Sequence, residues 1–330
     1  PPPPPRKTRF TAGARPHHHR LMAVFTPVSE AEMAALVARY GLGTLHCAEG
    51  IAQGVENTNY RLETDSGRFV LTLYEQRVDA ADLPFFLALT DHLAAAGDPV
   101  PRALRDRDGR QLQQVAGRPA CLIEFMPGTG VVTPSPAQAE AAGRALGRMH
   151  RSLRSFAGAR TNALGLPGWH TLAAQCGVSL DAIAPDLAQR VGAELAFLDA
   201  HWPNDLPHAV IHGDLFPDNV LMTGNSVTGL IDFYFACTEV RAWDLAVTHA
   251  AWAFTPEPDR AVGDALIAGY EAEHPLSPRE RAAFPVLARG ACLRFLLTRA
   301  WDWLNTSPDA LVTRKDPLAF LRRLDHYAAL

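Results

Sequence analysis

The stretch Ile211-His212-Gly213-Asp214-Leu215-Phe216-Pro217-Asp218-Asn219, with Leu230-Ile231-Asp232-Phe233 beyond it, constrains this chain more than any other. An Asn stands five residues after Asp214, and a second Asp stands thirteen residues after that Asn. Apolar runs of β type at 209–211, 220–222 and 227–231 frame the three polar residues. The pattern predicts short strands whose ends deliver two carboxylates and an amide oxygen to one place. Donors of this kind suit a hard divalent cation. Asp and Asn are ordinary turn residues, so one Asp-x-x-x-x-Asn alone proves little. The preceding His-Gly and an Asp placed after an apolar run make chance a poor account.

Phosphoryl transfer asks for little covalent chemistry from a protein. It asks for positioned oxygen ligands, a divalent metal and an oriented nucleophile. On that reading Asp214 accepts a hydroxyl proton, while Asn219 and Asp232 hold Mg²⁺ against the phosphates of ATP.

With 330 residues and 48% hydrophobic content, the chain can bury a large core. Its net charge of -4 offers no basic field for nucleic acid. No uncharged apolar run approaches the ~20 residues of a membrane helix. The five cysteines (Cys47, Cys121, Cys176, Cys237, Cys292) are scattered and form no C-x-x-C pair. They read as reduced thiols of a cytoplasmic protein. Residues 1–21 differ from the rest: a proline run, then a basic segment containing His17, His18 and His19. Such a leader is expected to be disordered. Met22 is its expected natural boundary, with the leader an artefactual extension. The histidines are of metal-binding type, but a solvated tail is the simpler account.

Residues 29–40 read as a helix, with Ser29 and Glu32 as a capping box and Gly41 as its end. A hairpin over 59–64 and 68–74 turns at Asp65-Ser66-Gly67. Further strands are expected near 51–55, 102–105, 110–115 and 119–125, with a helix over 80–96. After Pro127-Gly128 helices dominate, at 136–156, 180–200, 242–254, 261–273, 278–304 and 317–329. Pro285 is expected to break or kink the fifth of these. The fold class is therefore α+β: a β-rich nucleotide-binding lobe over 22–126 and a helical lobe over 127–330. A cleft between two lobes is a usual ligand site.

Taken together, these features resemble the protein-kinase-like phosphotransferases of small molecules, such as aminoglycoside phosphotransferases and choline kinases. His-Gly-Asp-x-x-x-x-Asn followed by Ile-Asp-Phe carries the general resemblance. The narrower one is to the bacterial homoserine kinases of the same fold. It rests on Gly54-Val55-Glu56-Asn57-Thr58-Asn59-Tyr60, on Phe69-Val70-Leu71-Thr72-Leu73-Tyr74-Glu75, and on Asp82-Leu83-Pro84-Phe85-Phe86. It also rests on Ile231-Asp232-Phe233-Tyr234-Phe235-Ala236-Cys237 and Lys315-Asp316-Pro317. The resemblance implies ATP-dependent phosphorylation of the side-chain hydroxyl of L-homoserine, a step of threonine biosynthesis. It implies that a turn over residues 50–59, with Gly54, Asn57 and Asn59, covers the phosphates. It further implies that backbone groups from Glu124 to Met126 meet the adenine.

One feature departs from the pattern of many kinases of this fold. Thr72 stands where many kinases of this fold carry a lysine, and the next helix offers Asp82 and Asp91 but no glutamate. The usual ion pair is therefore absent or relocated; Arg77 is one candidate to reach the phosphates. His212 is expected to brace its loop through backbone hydrogen bonds. Asp244 has two readings, a brace for that loop or a helix cap. For the acceptor's ammonium and carboxylate, Asp302 with Arg294 or Arg299 are candidates. Arg299 and Asp302 lie on one helical face, so a surface ion pair also accounts for them.

Rival readings remain open. A metallophosphoesterase would need a Gly-Asn-His, and Gly224-Asn225 is followed by Ser226. A non-catalytic nucleotide-binding pseudokinase would explain Thr72 but not the retention of Asp214, Asn219 and Asp232. There is no G-x-x-x-x-G-K-[ST] loop. A choline kinase would need an aromatic cage, for which Trp301, Trp303 and Tyr234 are candidates.

Overall fold

A computed structural model describes residues 26–51, 57–75, 78–306 and 314–330. The leader, Gly54 and Arg77 lie outside the described residues. Helix α1 (Glu30–Tyr40) begins as its sequence dictates. The Ser29 hydroxyl accepts the Glu32 N–H, and the Glu32 carboxylate accepts the Ser29 N–H at 3.1 Å. Gly41 ends the helix at φ 71°, a left-handed conformation that favours glycine.

Met33, Leu36, Val37 and Tyr40 of α1 cover one face of a five-stranded antiparallel sheet. Its strands are β1 (Leu45–Gly50), β2 (Thr58–Thr64), β3 (Gly67–Leu73), β4 (Leu112–Val115) and β5 (Arg118–Glu124), in the order β1-β2-β3-β5-β4. Strand β2 alternates as a half-buried strand should: Thr58, Tyr60, Leu62 and Thr64 are all buried. The β2–β3 hairpin sets Asn59 opposite Thr72.

Two strand expectations need correction. The first strand runs over 45–50, not near 51–55. Residues 102–105 form no strand of their own, only a bridge from Ala103 to Ile123. Strand β4 takes the edge of β5 at residues 118–121, so the 102–104 backbone is left to pair with its last few residues.

Helix α2 (Leu83–Ala95) follows the third strand. Its Leu83, Phe86, Leu89 and Leu93 join a single core with the helical part rather than with α1. That part contains α3 (Pro136–Ser152), α4 (Leu166–Cys176), α5 (Leu187–His201), α6 (Arg241–Trp252), α7 (Arg260–Glu273), α8 (Pro278–Asn305) and α9 (Leu318–Ala328). Helix α4 was not expected; Leu166-Pro167-Gly168 reads as a loop, yet proline is well placed in a first helical turn. Helix α5 starts seven residues later than expected: residues 177–182 wind as a short 3-10 helix, and Pro185 falls in the break before α5 begins. Pro285 does not break α8, which continues to Asn305. It stands early in the helix and removes only the bond to the Arg281 carbonyl.

Helices α3 and α7 approach backbone to backbone. A Cβ on Gly143 would collide with the Leu266 carbonyl, and one on Gly269 with the Glu140 carbonyl. Four short strands interrupt the helices: β6 (His208–Ile211), β7 (Val220–Thr223), β8 (Ser226–Leu230) and β9 (Cys237–Val240). The last was not expected. β6 pairs with β9, and β7 with β8.

Candidate active site

Those two small pairings assemble the site. Ile211 lies opposite Cys237, and Val220 opposite Leu230. The loop 212–219 and the turn 231–236 must therefore run side by side. The Ile231 N–H donates to the Asn219 carbonyl at 3.0 Å. Asn219 Nδ2 donates to the Asp214 carbonyl at 2.8 Å and to Asp214 Oδ2 at 3.4 Å. With its nitrogen committed there, Asn219 Oδ1 is the end that can face a cation. Asp232 follows Ile231 directly, in a left-handed conformation (φ 68°, ψ 56°) that costs a non-glycine residue about 1–2 kcal/mol. That turn carries the chain out of β8, one residue beyond the Ile231 N–H that meets the Asn219 carbonyl.

His212 is fully buried between the two segments. Its Nδ1 accepts the Asp214 N–H at 3.2 Å, so Nε2 holds the proton and donates to the Ile231 carbonyl at 3.0 Å. Burial lowers its pKa and keeps the ring neutral, despite nearby Asp244 and Asp214. The half-buried Asp214 shifts upward because of burial, with the Arg294 guanidinium, 3.7 Å from Oδ1, opposing the shift. Arg294 is not open to an acceptor. It is buried beneath the loop, donates to the Gly213 carbonyl, and lies 4.4 Å from the Phe295 ring.

Asp244 sits in the first turn of α6, completely buried. Oδ2 accepts the His212 N–H and Oδ1 the Gly213 N–H, each at 2.8 Å. It makes no cap for its own helix. Behind it, His150 Nε2 donates to Oδ2 at 2.9 Å, and His150 Nδ1 meets the Tyr270 hydroxyl at 2.9 Å. The close approach of α3 and α7 brings that last pair together. Neither His150 nor Tyr270 was singled out from sequence; a lone His at the end of an amphipathic helix carries no local signal.

The phosphotransferase enzyme family matches residues 48–283. The homoserine kinase of Zymomonas mobilis is 55% identical over 311 residues, spanning 93% of this chain and 97% of that one. That of Methylobacterium radiotolerans is 50% identical, spanning 92% and 95%. The chain belongs to this phosphotransferase family, among the homoserine kinases. The fold agrees with solved structures. An amicoumacin kinase in complex with AMP-PNP, Ca²⁺ and Ami superposes with a TM-score of 0.65 at 14% identity, covering 91% of this chain and 94% of that one. A choline kinase from Cryptosporidium parvum gives 0.62 at 16% identity, covering 86% and 88%.

On the sheet side of this phosphotransferase, Asn59 turns its side-chain oxygen toward β3 and Asn57 toward the residues that follow it. Asn57 Oδ1 accepts the Glu75 N–H at 3.3 Å, and Asn59 Oδ1 accepts the Thr72 hydroxyl at 2.7 Å. Thr72 therefore fills its position with a neutral hydrogen bond across the hairpin. Thr72→Val should leave Asn59 without that donor and cost about 1 kcal/mol. We expect a rate loss of a few-fold, checked by steady-state kinetics against ATP. A collapse of activity would instead give the hydroxyl a part in the reaction.

Glu124 uses its N–H on the Arg102 carbonyl (3.0 Å) and its carboxylate on Arg102 Nη2 (3.0 Å). Met126 lies against Gly229 of β8. The connector after it is clamped to the β7–β8 hairpin, with Thr129 and Met222 exchanging backbone bonds of 3.1 and 2.9 Å. Arg299 donates to the Asp316 carbonyl at 3.2 Å and lies 4.5 Å from the Phe320 ring. Burial and the Arg323 cation lower its pKa to about 10, against the pull of Asp214. Asp302 is half-buried one turn further along α8. The aromatic cage for choline is not gathered: Tyr234 packs on Tyr74 and Phe86, and Arg314 covers Trp303.

Proposed function

We propose that this chain transfers the γ-phosphoryl group of ATP to the side-chain hydroxyl of L-homoserine in the cytoplasm, serving threonine biosynthesis. One observation carries the reading. The catalytic motif folds into a joined set of Asp214, Asn219 and the Asp232 turn, in a chain half-identical to homoserine kinases along nearly its whole length. We assign nucleotide binding to residues 22–126 and the acceptor and catalytic groups to 127–330.

Asp214 orients the acceptor hydroxyl and takes its proton. Asn219 Oδ1 and the Asp232 carboxylate would hold Mg²⁺. Bound there, the ion neutralises charge developing on the phosphates. Asn57, just before β2, and Asn59, within it, are assigned to the phosphate side together with Gly54, which lies outside the described residues, and backbone from Glu124 to Met126 is assigned to the adenine. Arg299, with Lys315 whose charge also acts on Asp214, gives the acceptor side a cationic character suited to a carboxylate. Asp302 is the candidate for the ammonium.

A coupled ADP-release assay across hydroxyl compounds tests the reading. L-Homoserine should be turned over, and choline should not. Release with choline alone would reject homoserine as the acceptor. Nucleotide binding without release for any compound would favour the pseudokinase.

A further inference from the structure

Thr72 supplies no cation at its place in β3, and α2 takes its ion pairs from elsewhere. Asp91 within α2 pairs with Arg105 at 3.1 Å, and Asp82, the residue that caps α2, takes a partner from the helical part. Arg160, in the loop between α3 and α4, donates from Nε to Asp82 Oδ2 at 2.6 Å, at the start of α2. From Nη1 it donates to the Ala236 carbonyl at 3.1 Å, where the turn begun at Asp232 ends. Its own carbonyl accepts the Thr238 N–H at 2.7 Å. The guanidinium lies 5.1 Å from the Phe86 ring of α2. Within the same turn, Tyr234 meets Phe86 edge-on at 5.8 Å and Tyr74, which follows β3, at 5.6 Å.

One side chain thus ties α2 to the far end of the metal-binding turn, over an aromatic cluster shared by both parts. We propose that Arg160 is a positioning residue. Through Asp82 and the Ala236 carbonyl it sets the Asp232 turn against α2, in place of the strand-to-helix ion pair common in this fold. Arginine is required because its planar fork sends donors in two directions at once, whereas a lysine is a single point charge. The pair is only about one-fifth to one-third exposed (side chains 22% and 32%), so screening by water is incomplete. The proposal rests on reading Asp232 as a metal ligand of a homoserine kinase.

Homoserine-dependent ADP release by the full chain, measured against Mg²⁺ and homoserine concentration, tests it. We expect Arg160→Met to lower kcat about tenfold and to raise the Mg²⁺ needed for half-maximal rate about threefold. The homoserine KM should stay within about twofold, because the acceptor side is untouched. Arg160→Lys should recover part of the loss. Asp82→Asn should act in the same direction, and Asp82→Asn combined with Arg160→Met should be no worse than Arg160→Met alone. The near-isosteric Asp82→Asn reads the same pair if Arg160→Met does not fold. Wild-type kcat and Mg²⁺ dependence in Arg160→Met, or in Asp82→Asn where only that variant folds, would overturn the positioning role. So would losses that multiply in the double variant. A wild-type chain inert toward every acceptor would sink the kinase reading, and this proposal with it. An active wild type with indifferent variants sinks the proposal alone.

Discussion

Asp214→Ala should lower homoserine phosphorylation by about 10²–10⁴-fold, the range for removing a positioned general base. Asp232→Ala should be at least as damaging, because on the proposed reading it removes the charged ligand that would hold Mg²⁺ against the phosphates. Both losses should fall on kcat, with the fold retained. Asp214 is half-buried, and the contact that closes its loop, Asn219 Nδ2 to the Asp214 carbonyl, uses backbone rather than the carboxylate. Single-turnover rates and thermal melts on the same samples check both parts. Near-normal turnover in either variant would remove the residue from the reaction.

Asp244→Ala should destabilise the chain by about 3–5 kcal/mol, the scale for breaking a buried charged pair. The carboxylate satisfies two loop N–H groups and His150, all without access to water. Alanine would leave both N–H groups and His150 Nε2 unpaired. Activity should fall with stability, since the N–H groups belong to the two residues before Asp214. Asp244→Asn keeps the shape but replaces one acceptor oxygen with a donor, so its loss should be intermediate. The pH dependence follows from the same bonds. Burial pushes the Asp244 carboxyl upward, but His150, His212 and the Gly213 N–H outweigh it and hold the pKa below its ordinary value. A depressed folded pKa gives stability that is complete above the unfolded value and lost as pH falls through the folded one. Denaturant midpoints measured downward from neutral pH should therefore fall more steeply for the wild type than for Asp244→Asn. Parallel curves would deny the carboxylate that role.

The parts legible in sequence were those written locally. The Ser29–Glu32 box, the Gly41 stop and the Asp65-Ser66-Gly67 hairpin each lie within a few residues, and each formed as expected. The loop 212–219 and the Asp232 turn were legible because one short hairpin, β7–β8, joins them. Local reading failed where a neighbour distant in sequence decided the outcome. The bridge at Ala103 depends on which part of the β5 edge β4 leaves open. Strand β9 exists because β6 offers it a partner. Arg294, a candidate for the acceptor, instead lies under the catalytic loop, 81 residues from the carbonyl it serves.

Sequence alone determined that this is an α+β phosphotransferase and brought Asp214, Asn219 and Asp232 together as its proposed centre, because those three lie on adjoining loops whose strands are marked by their own apolar runs. Only the tertiary structure decided what holds them in place. His150 reaches Asp244 across 94 residues and Arg160 reaches Asp82 across 78. A buried polar group must find its partner wherever packing delivers one, and no periodicity along the chain records that address.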